Sequence, residues 1–230
     1  MDLETKLPKI ARADAGAVVV SEFTVFTPER QRTVGEEIVS GLREGASWPE
    51  GLLSANLFAS TDGDTVLSYD QWTSNEAYHR FLSGQHRMKA NRVDLGVSET
   101  ERSEPVDYRL YRSRSRDDAP PVGCVVIVRV MFLGPDEERQ RRWVDTVFEA
   151  LEAETELHPG GISGHFHLSS DGTQVLNYAE WTDEAAHREA LAASGQGTIG
   201  PGPRWLEVLN FGGVVSNGFK RYKLLRSLSF

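Results

Sequence analysis

The chain carries one segment twice, and this repeat constrains its fold more than any other feature. Residues 62–73 read Asp-Gly-Asp-Thr-Val-Leu-Ser-Tyr-Asp-Gln-Trp-Thr, and a close copy, Asp-Gly-Thr-Gln-Val-Leu-Asn-Tyr-Ala-Glu-Trp-Thr, stands 109 positions later at 171–182. Shorter matches join 76–80 with 184–188, 83–85 with 194–196, and 108–113 with 222–227. A repeat of this length indicates two copies of one structural domain within the 230 residues.

The composition restricts the classes of partner. The net charge is −9, and acidic and basic residues are mixed along the chain, so the basic face that nucleic-acid binding needs is not expected. Apolar stretches such as 122–131 are far too short to span a bilayer. The single cysteine, Cys124, cannot form an internal disulfide, and the first residues lack the pattern of a signal peptide. We therefore expect a cytoplasmic protein without nucleic-acid or membrane partners.

Hydrophobic periodicity predicts the same order of elements, β-α-β-β-α-β, in both halves. The Asp-Gly pairs at 62–63 and 171–172 predict tight hairpins. In the first half we predict strands at 18–26, 52–60, 65–72 and 106–112, and helices at 28–43, ended by Gly45, and 75–82. In the second half we predict strands at 122–132, 164–168, 174–181 and 219–228, and helices at 136–156 and 183–193.

This order is that of the split ferredoxin-like unit, an α+β fold. We predict an N-terminal extension (1–16), a first ferredoxin-like domain (17–113), a polar Pro-ended linker (114–121) and a second domain (122–230). One face of each sheet is left bare by its helices. We therefore predict that the two tandem domains pack sheet to sheet as a fused dimeric α/β barrel.

Polar and aromatic residues alternate along the strand that follows each Asp-Gly pair. Ser68, Asp70 and Trp72 share one strand face, and Asn177 and Trp181 stand at the corresponding positions of the second copy. A large aromatic ring with a polar partner on one face suits a planar ligand. The alternative is that both tryptophans are core residues.

The ordered set of motifs resembles the antibiotic biosynthesis monooxygenase family. The set is the Asp-Gly turn, a strand ending in aromatic-x-x-Trp-Thr, then Glu-Ala and His, and it occurs in both 17–113 and 122–228. The resemblance implies the dimeric α/β barrel of small quinone-forming and heme-degrading oxygenases. A fused pair is similar to the oxygenases that open ring B of angucycline polyketides. That similarity implies oxidative C–C bond cleavage of a polycyclic phenol or hydroquinone by O2 and a dissociable reduced flavin (FADH2 or FMNH2) from a separate flavin reductase.

The resemblance also implies site residues, because quinone-forming members use a pocket Trp, Asn and Tyr. The Trp carries over to Trp72 and Trp181, and both are expected to bind substrate. The Asn four residues earlier is present as Asn177, whereas the first half has a serine. The Tyr six residues after Trp is expected as Tyr78 alone, with Ala186 in its place in the second half. Tyr78 and Asn177 are the expected hydrogen-bonding catalytic residues.

Histidines are the candidates for a catalytic base, since their ordinary pKa of about 6.5 makes both charge states accessible. His79 and His187 follow the same Glu-Ala pattern and are expected at equivalent helix positions, with helix packing as the alternative. His86 occurs in the first copy only. We predict His86 or His79 as the base. Because Tyr78 and His86 occur only in the first copy, we expect the working site in the first half.

A His-x-His pair adds further polar candidates in the second half. His165 and His167 share one face of a predicted strand, and we expect them beside Asn177 as substrate-binding residues. No nearby carboxylate or thiol completes a ligand set, so no metal is expected.

Three other functions stay open on the same fold. A cofactor-free monooxygenase would convert an anthrone or phenol to a quinone, a polyketide cyclase would need no oxygen, and a ligand-binding barrel would have no activity. No Gly-x-Gly-x-x-Gly motif follows a predicted strand, so a built-in dinucleotide-binding domain is not expected. Pairing of the whole chain into a homodimer is also open.

Overall fold

The computed structural model describes residues 2–4, 6–44, 48–89 and 101–229. The chain divides into two compact units: the first is Met1–Tyr108 with Tyr222–Phe230, and the second is Arg109–Arg221. These limits differ from the predicted domains because the division falls inside two long strands, so the last residues of the chain belong to the first unit.

The first unit has the strand and helix order of the ferredoxin-like fold. Its elements are β1 (Asp2–Glu4), β2 (Ala17–Thr24), α1 (Pro28–Glu44), β3 (Leu52–Ser60), β4 (Thr65–Trp72), α2 (Asn75–Lys89), β5 (Glu101–Arg102) and the start of β6 (Val106–Ser115). Strand β4 lies between β2 and β3, and β6 pairs with β2, all antiparallel. The end of the last strand, β10 (Val214–Ser229), pairs with β3 and carries β1 on its other side.

The second unit repeats this order. Its elements are the rest of β6, β7 (Cys124–Phe132), α3 (Glu137–Ala153), β8 (Gly161–Ser169), β9 (Gln174–Trp181), α4 (Glu184–Ser194), α5 (Trp205–Leu209) and the start of β10. Strand β9 lies between β7 and β8, and β10 pairs with β7. The predicted α+β class and the two tandem ferredoxin-like segments are confirmed.

The tight turns between the hairpin strands require glycine. Gly63 and Gly172 have φ of 88° and 74°, in the left-handed region that other residues adopt at a cost. A Cβ on Gly63 would lie 2.9 Å from Cγ of Pro28, and one on Gly172 would lie 3.0 Å from N of Asp136. The turns thus leave room for the first residues of the helices that cover each sheet.

A buried glutamine fixes each first helix on its sheet. Nε2 of Gln31 donates to the backbone oxygen of Thr65 at 2.8 Å, and Nε2 of Gln140 donates to that of Gln174 at 2.7 Å. Both glutamine side chains are fully or almost fully buried, where an amide needs such partners. The two contacts correspond at a shift of 109, so helices α1 and α3 can be compared residue by residue.

The remaining differences from the predicted elements lie at ends and connections. Helix α2 continues to Lys89, strand β10 begins at Val214, and helix α5 was not predicted. The predicted helix stop at Gly45 lies outside the described residues. No helix in the described parts of the chain combines the length and the apolar character needed to cross a membrane.

Candidate active site

A cavity of about 630 Å³ lies within the second unit, on the helix side of its sheet. This volume is in the range of small-molecule sites, roughly 300–1,000 Å³. Its lining includes Val147, Phe166, Asn177, Trp181, His187 and Trp205. Strand β9, helices α3 and α4, and the short helix α5 therefore all contribute to its wall.

The wall of the cavity is mainly apolar and aromatic. Trp143 and Phe166 lie with ring centroids 6.4 Å apart, and Trp181, at the end of β9, is almost fully buried. Trp205 of α5 is held in place because its Nε1 donates to Oε1 of Glu154 at 2.8 Å. These flat, packed rings suit an aromatic ligand, which would be buried in the cavity and would contact the rings of its wall.

Asn177 supplies a polar atom in this apolar wall. Its Oδ1 is buried and has no hydrogen-bond partner among the described residues. A Cβ placed on the neighbouring Gly164 would lie 3.5 Å from that oxygen, so the amide packs directly against the glycine backbone. A buried acceptor without a partner costs about 1–3 kcal/mol, and a ligand hydroxyl that reaches Oδ1 would remove this cost.

Helix caps show which residues correspond in the helices after the two tryptophans. Oγ of Ser74 accepts from N of Ala77 at 3.2 Å, and Oδ1 of Asp183 accepts from N of Ala186 at 2.8 Å. Since both caps stand two residues after Trp, the shift of 109 continues into the helices. The expectation that Ala186 replaces Tyr78 is therefore wrong: Ala186 corresponds to Ala77.

The residue that takes the place of Tyr78 in the second unit is His187. Tyr78 lies edge-on to Trp72 with centroids 5.4 Å apart, and His187 lies edge-on to Trp181 at 4.9 Å. The expected equivalence of His79 and His187 is also wrong, since His79 is exposed on α2 whereas His187 is buried against the cavity. The repeated Glu-Ala pairs suggest an alignment of α2 with α4 that is one residue out of step with the alignment given by the helix caps.

His187 is held neutral by its surroundings. Burial, and then the positive charge of Arg221, lower the pKa of His187 to about 4. Nε of Arg221 donates to Nδ1 of His187 at 3.0 Å. At neutral pH the imidazole is thus uncharged, and one of its ring nitrogens, Nδ1, already accepts a hydrogen bond from Arg221.

His158 is a cavity residue that the sequence analysis missed. It lines the cavity, its ring centroid lies 6.1 Å from that of Trp181, and its Nδ1 accepts from N of Gly160 at 3.2 Å. Nε2 lies 3.9 Å from Oε2 of Glu189. His158 stands in the connection before β8, and no repeated motif or periodicity marks it in the sequence.

His165 and His167 lie on the other face of the sheet. His165 pairs with Tyr178, whereas Phe166 pairs with Asn177, and paired residues of antiparallel strands point to the same side. The expectation that both histidines stand beside Asn177 is therefore wrong. Burial lowers the pKa of His165 to about 4 and that of His167 to about 3, so both are neutral.

In the first unit, the sheet face that corresponds to the face of Asn177 and Trp181 carries a carboxyl group, that of Asp70. Oγ of Ser68 lies 2.9 and 3.0 Å from the two carboxyl oxygens of Asp70. Burial raises the pKa of Asp70 to about 7, although Ser68 acts in the opposite direction. Nε1 of Trp72 is buried and has no hydrogen-bond partner among the described residues. Ser68 thus contacts Asp70, and Trp72 contacts Tyr78, while the roles expected for these residues at a substrate stay predictions.

The structure gives little information on His86. The backbone of His86 lies in α2, but its side chain is outside the described residues, so its role as a base stays a prediction. Within the part of the chain that the structure describes, no three His, Cys, Asp or Glu side chains are grouped as metal ligands would be.

Comparisons with known proteins connect this geometry to a family. The model of the family described as antibiotic biosynthesis monooxygenase matches residues 17–93 and 126–196, which together make up more than half of the chain. Over 70 residues the chain is 37% identical to the tetracenomycin-F1 monooxygenase of Streptomyces glaucescens, a match that covers 30% of this chain and 61% of that protein.

A solved structure covers nearly the full length. The chain is similar to the crystal structure of an anthrone oxidase-like protein with a TM-score of 0.72, over 94% of each chain and at 18% sequence identity. At this identity the likeness shows the fold.

Proposed function

This chain belongs to the antibiotic biosynthesis monooxygenase family, and we propose that it is an oxygenase that oxidises a planar phenolic polyketide in the cavity of the second unit. The substrate class is supported by two relatives, the tetracenomycin-F1 monooxygenase and the anthrone oxidase-like protein. Both names refer to fused aromatic rings.

The observation that carries the proposal is the unpartnered Oδ1 of Asn177 in the wall of an aromatic cavity. The cavity of about 630 Å³ is large enough for several fused rings. Oδ1 accepts the hydrogen of a phenolic hydroxyl, while Trp181 packs against the ring system. This pair orients the substrate, so that one ring carbon is presented to O2.

The reaction that these residues support needs no further reductant. When the enol form of an anthrone gives its hydroxyl proton to water, the electron-rich ring transfers an electron to O2, the radicals combine at the ring carbon as a peroxide, and the peroxide takes up a proton from water. Loss of water then leaves a carbonyl: the CH2 group and O2 become C=O and H2O. The substrate supplies all four electrons. The apolar wall excludes bulk water, which would otherwise intercept the reactive intermediates.

Flavin-dependent C–C bond cleavage of an angucycline-type ring is the alternative within this proposal. A flavin phosphate would have to bind to Arg114 or Arg116, the arginines among the described cavity residues. Nη1 of Arg116 already donates to the backbone oxygen of Pro159 at 2.5 Å. The cavity therefore fits a phenolic substrate better than a phosphorylated flavin.

Oxygen uptake tests the proposal. We expect the purified protein to consume one O2 per anthrone or polyphenol oxidised, without added flavin. Uptake only with reduced flavin and a reductase would support the ring-opening alternative. Turnover under argon would indicate a cyclase, and binding without turnover in either gas would indicate a ligand-binding protein. Either of the last two results would overturn the proposal.

A further inference from the structure

The ring of His187 is held in one orientation. It is almost fully buried and lies between two aromatic rings, edge-on to Trp181 at 4.9 Å and to Phe219 at 5.1 Å, with interplanar angles of 72° and 79°. The three rings all line the cavity of the second unit. A ring packed in this way presents its nitrogens in fixed directions.

The partner of Nδ1 determines where the proton of His187 lies. Nε of Arg221 donates to Nδ1 at 3.0 Å, and a guanidinium has donors but no acceptor. Nδ1 must therefore carry the lone pair. A neutral imidazole has one protonated nitrogen, so the proton is on Nε2.

The guanidinium of Arg221 is itself positioned by its surroundings. Its carbon Cζ lies 5.0 Å from the ring centroid of Phe219 on the same strand, a cation–π distance. Further charged or titratable groups act on Arg221: Glu184 and Arg188 on α4, and Cys124 on β7. Burial lowers the pKa of Arg221 and Arg188 lowers it further, while Glu184 and Cys124 act in the opposite direction.

From this geometry we infer that Arg221 is a positioning residue, which fixes His187 as an Nε2–H donor to the substrate oxygen and removes it from the possible catalytic bases. The inference rests on the proposed function for its substrate. It also explains why His187 can stand where the first unit has Tyr78: a phenol hydroxyl and an Nε2–H imidazole are both neutral donors. Asn177 accepts the hydroxyl hydrogen before proton loss, and His187 donates to the oxygen once it is an anion.

The first test needs no substrate and therefore separates this inference from the proposed function. Nitrogen-detected NMR of the histidine side chains in the resting protein reports which ring nitrogen carries hydrogen. Spectra of a His187→Gln variant assign the signal. We expect an Nε2–H tautomer whose signals do not titrate between pH 5.5 and 8. An Nδ1–H tautomer, or a titration near the ordinary histidine pKa of about 6.5, would overturn the inference.

The second test removes the donor. We expect Arg221→Met to raise the pKa of His187 above that of the wild type, although burial, the larger cause of its low value, remains. In NMR, His187 of this variant should therefore titrate at a higher pH than in the wild type. The variant should also show mixed tautomers of His187 and a kcat about tenfold lower at pH 8, the size of one lost hydrogen bond. Arg221→Gln, which keeps a side-chain N–H, should restore part of the loss. Lys223→Met, at an exposed position of the same strand, is the control and should change neither property.

The control for folding is the thermal melt of each variant. Where Arg221→Met does not fold, Arg221→Gln and the wild-type NMR spectrum still decide the matter. An Arg221→Met protein that folds with an unchanged tautomer and an unchanged titration of His187 contradicts the positioning role.

Discussion

The two units have the same framework but different chemistry at two corresponding positions. Asp70 in the first unit stands where the second has Ala179, and Tyr78 stands where the second has His187. The carboxyl of Asp70 has a pKa raised to about 7, whereas His187 has a pKa lowered to about 4. Burial disfavours the charged form in both cases, so the carboxyl of Asp70 is partly protonated near neutral pH whereas the imidazole of His187 is uncharged.

This difference indicates which parts of the repeat are scaffold. The tryptophans, the buried glutamines and the helix caps occur in both units and hold the same local contacts, so they maintain the fold. A cavity with an unpartnered acceptor is described in the second unit, whereas the sequence had favoured the first for its Tyr and His86. The comparison favours the second unit as the working site, and a working site in the first unit stays a prediction.

Filling the cavity gives the largest expected effect. Val147→Trp places a large ring in the cavity, and we expect kcat/KM to fall about 100-fold, roughly 2.7 kcal/mol of lost substrate binding. The matched variant in the first unit is Ile38→Trp, since both residues lie seven positions after the buried glutamine of their helix. We expect it to change kcat/KM less than about threefold. Equal losses in two folded proteins, as judged by thermal melts, would contradict the assignment.

Some elements were predictable because their signals are local. The strands 52–60, 65–72 and 174–181 end where predicted, since an Asp-Gly turn bounds each hairpin and alternation marks its faces. The ferredoxin-like order followed from the repeat. The helix register was misread because the Glu-Ala letters match one residue out of step with the caps, and hydrogen bonds, not letters, determine where a helix begins.

The cavity and its electrostatics could not be predicted in this way. Its wall includes helix α5, whose position depends on a contact between Trp205 and Glu154, which are far apart in the chain. The pairing of Arg221 with His187 joins two elements whose packing no periodicity reveals. Strand faces were predicted correctly, but the register that separates His165 from Asn177 across neighbouring strands needed the structure.

Replacement of Asp70 should change how the free energy of unfolding of the protein depends on pH. The folded pKa of Asp70, about 7, lies above its ordinary value of 3.8, so the folded state binds more protons in this window and stability falls as pH rises through it. Asp70→Asn should therefore raise the free energy of unfolding at pH 8 by about 2 kcal/mol, half of what the shift implies because Asp70 is partly exposed.

The same experiment has an internal control. Denaturant melts of wild type and Asp70→Asn should converge well below pH 3.8, the ordinary pKa of the group, because Asp70 is protonated there in both states. The reciprocal change Ala179→Asp should destabilise the protein at pH 8. A difference between wild type and Asp70→Asn that does not vary with pH would show that Asp70 is not a buried carboxyl of raised pKa.

The second unit should respond to pH in the opposite direction. The folded pKa of His187, about 4, lies below its ordinary value of 6.5, so the unfolded state binds more protons between these values and stability falls as pH drops. We expect His187 to account for about 2 kcal/mol of the stability lost between pH 7 and pH 5. In denaturant melts, His187→Gln should therefore lose about 2 kcal/mol less stability than the wild type between pH 7 and pH 5. Equal pH slopes for the two proteins would mean that His187 is charged in the folded state.

The smallest expected effect on activity comes from replacing Asn177 on β9 or Ser68 on β4, which stand at corresponding positions of the two units. Asn177→Leu removes the acceptor for the substrate hydroxyl, so kcat/KM should fall about tenfold with an anthrone substrate. Ser68→Ala removes the corresponding side chain of the first unit, and we expect less than a twofold change in steady-state kinetics. A larger loss in Ser68→Ala than in Asn177→Leu would transfer the working site to the first unit.

A crystal structure of the protein with a bound hydroxyanthraquinone, a stable analogue of the oxidised product, would locate the working site directly. We expect the ring system to lie in the cavity of the second unit against Trp181, with a hydroxyl within hydrogen-bond distance of Oδ1 of Asn177. A ligand bound beside Trp72 and Asp70, with the cavity of the second unit free of it, would show that the substrate site lies in the first unit instead.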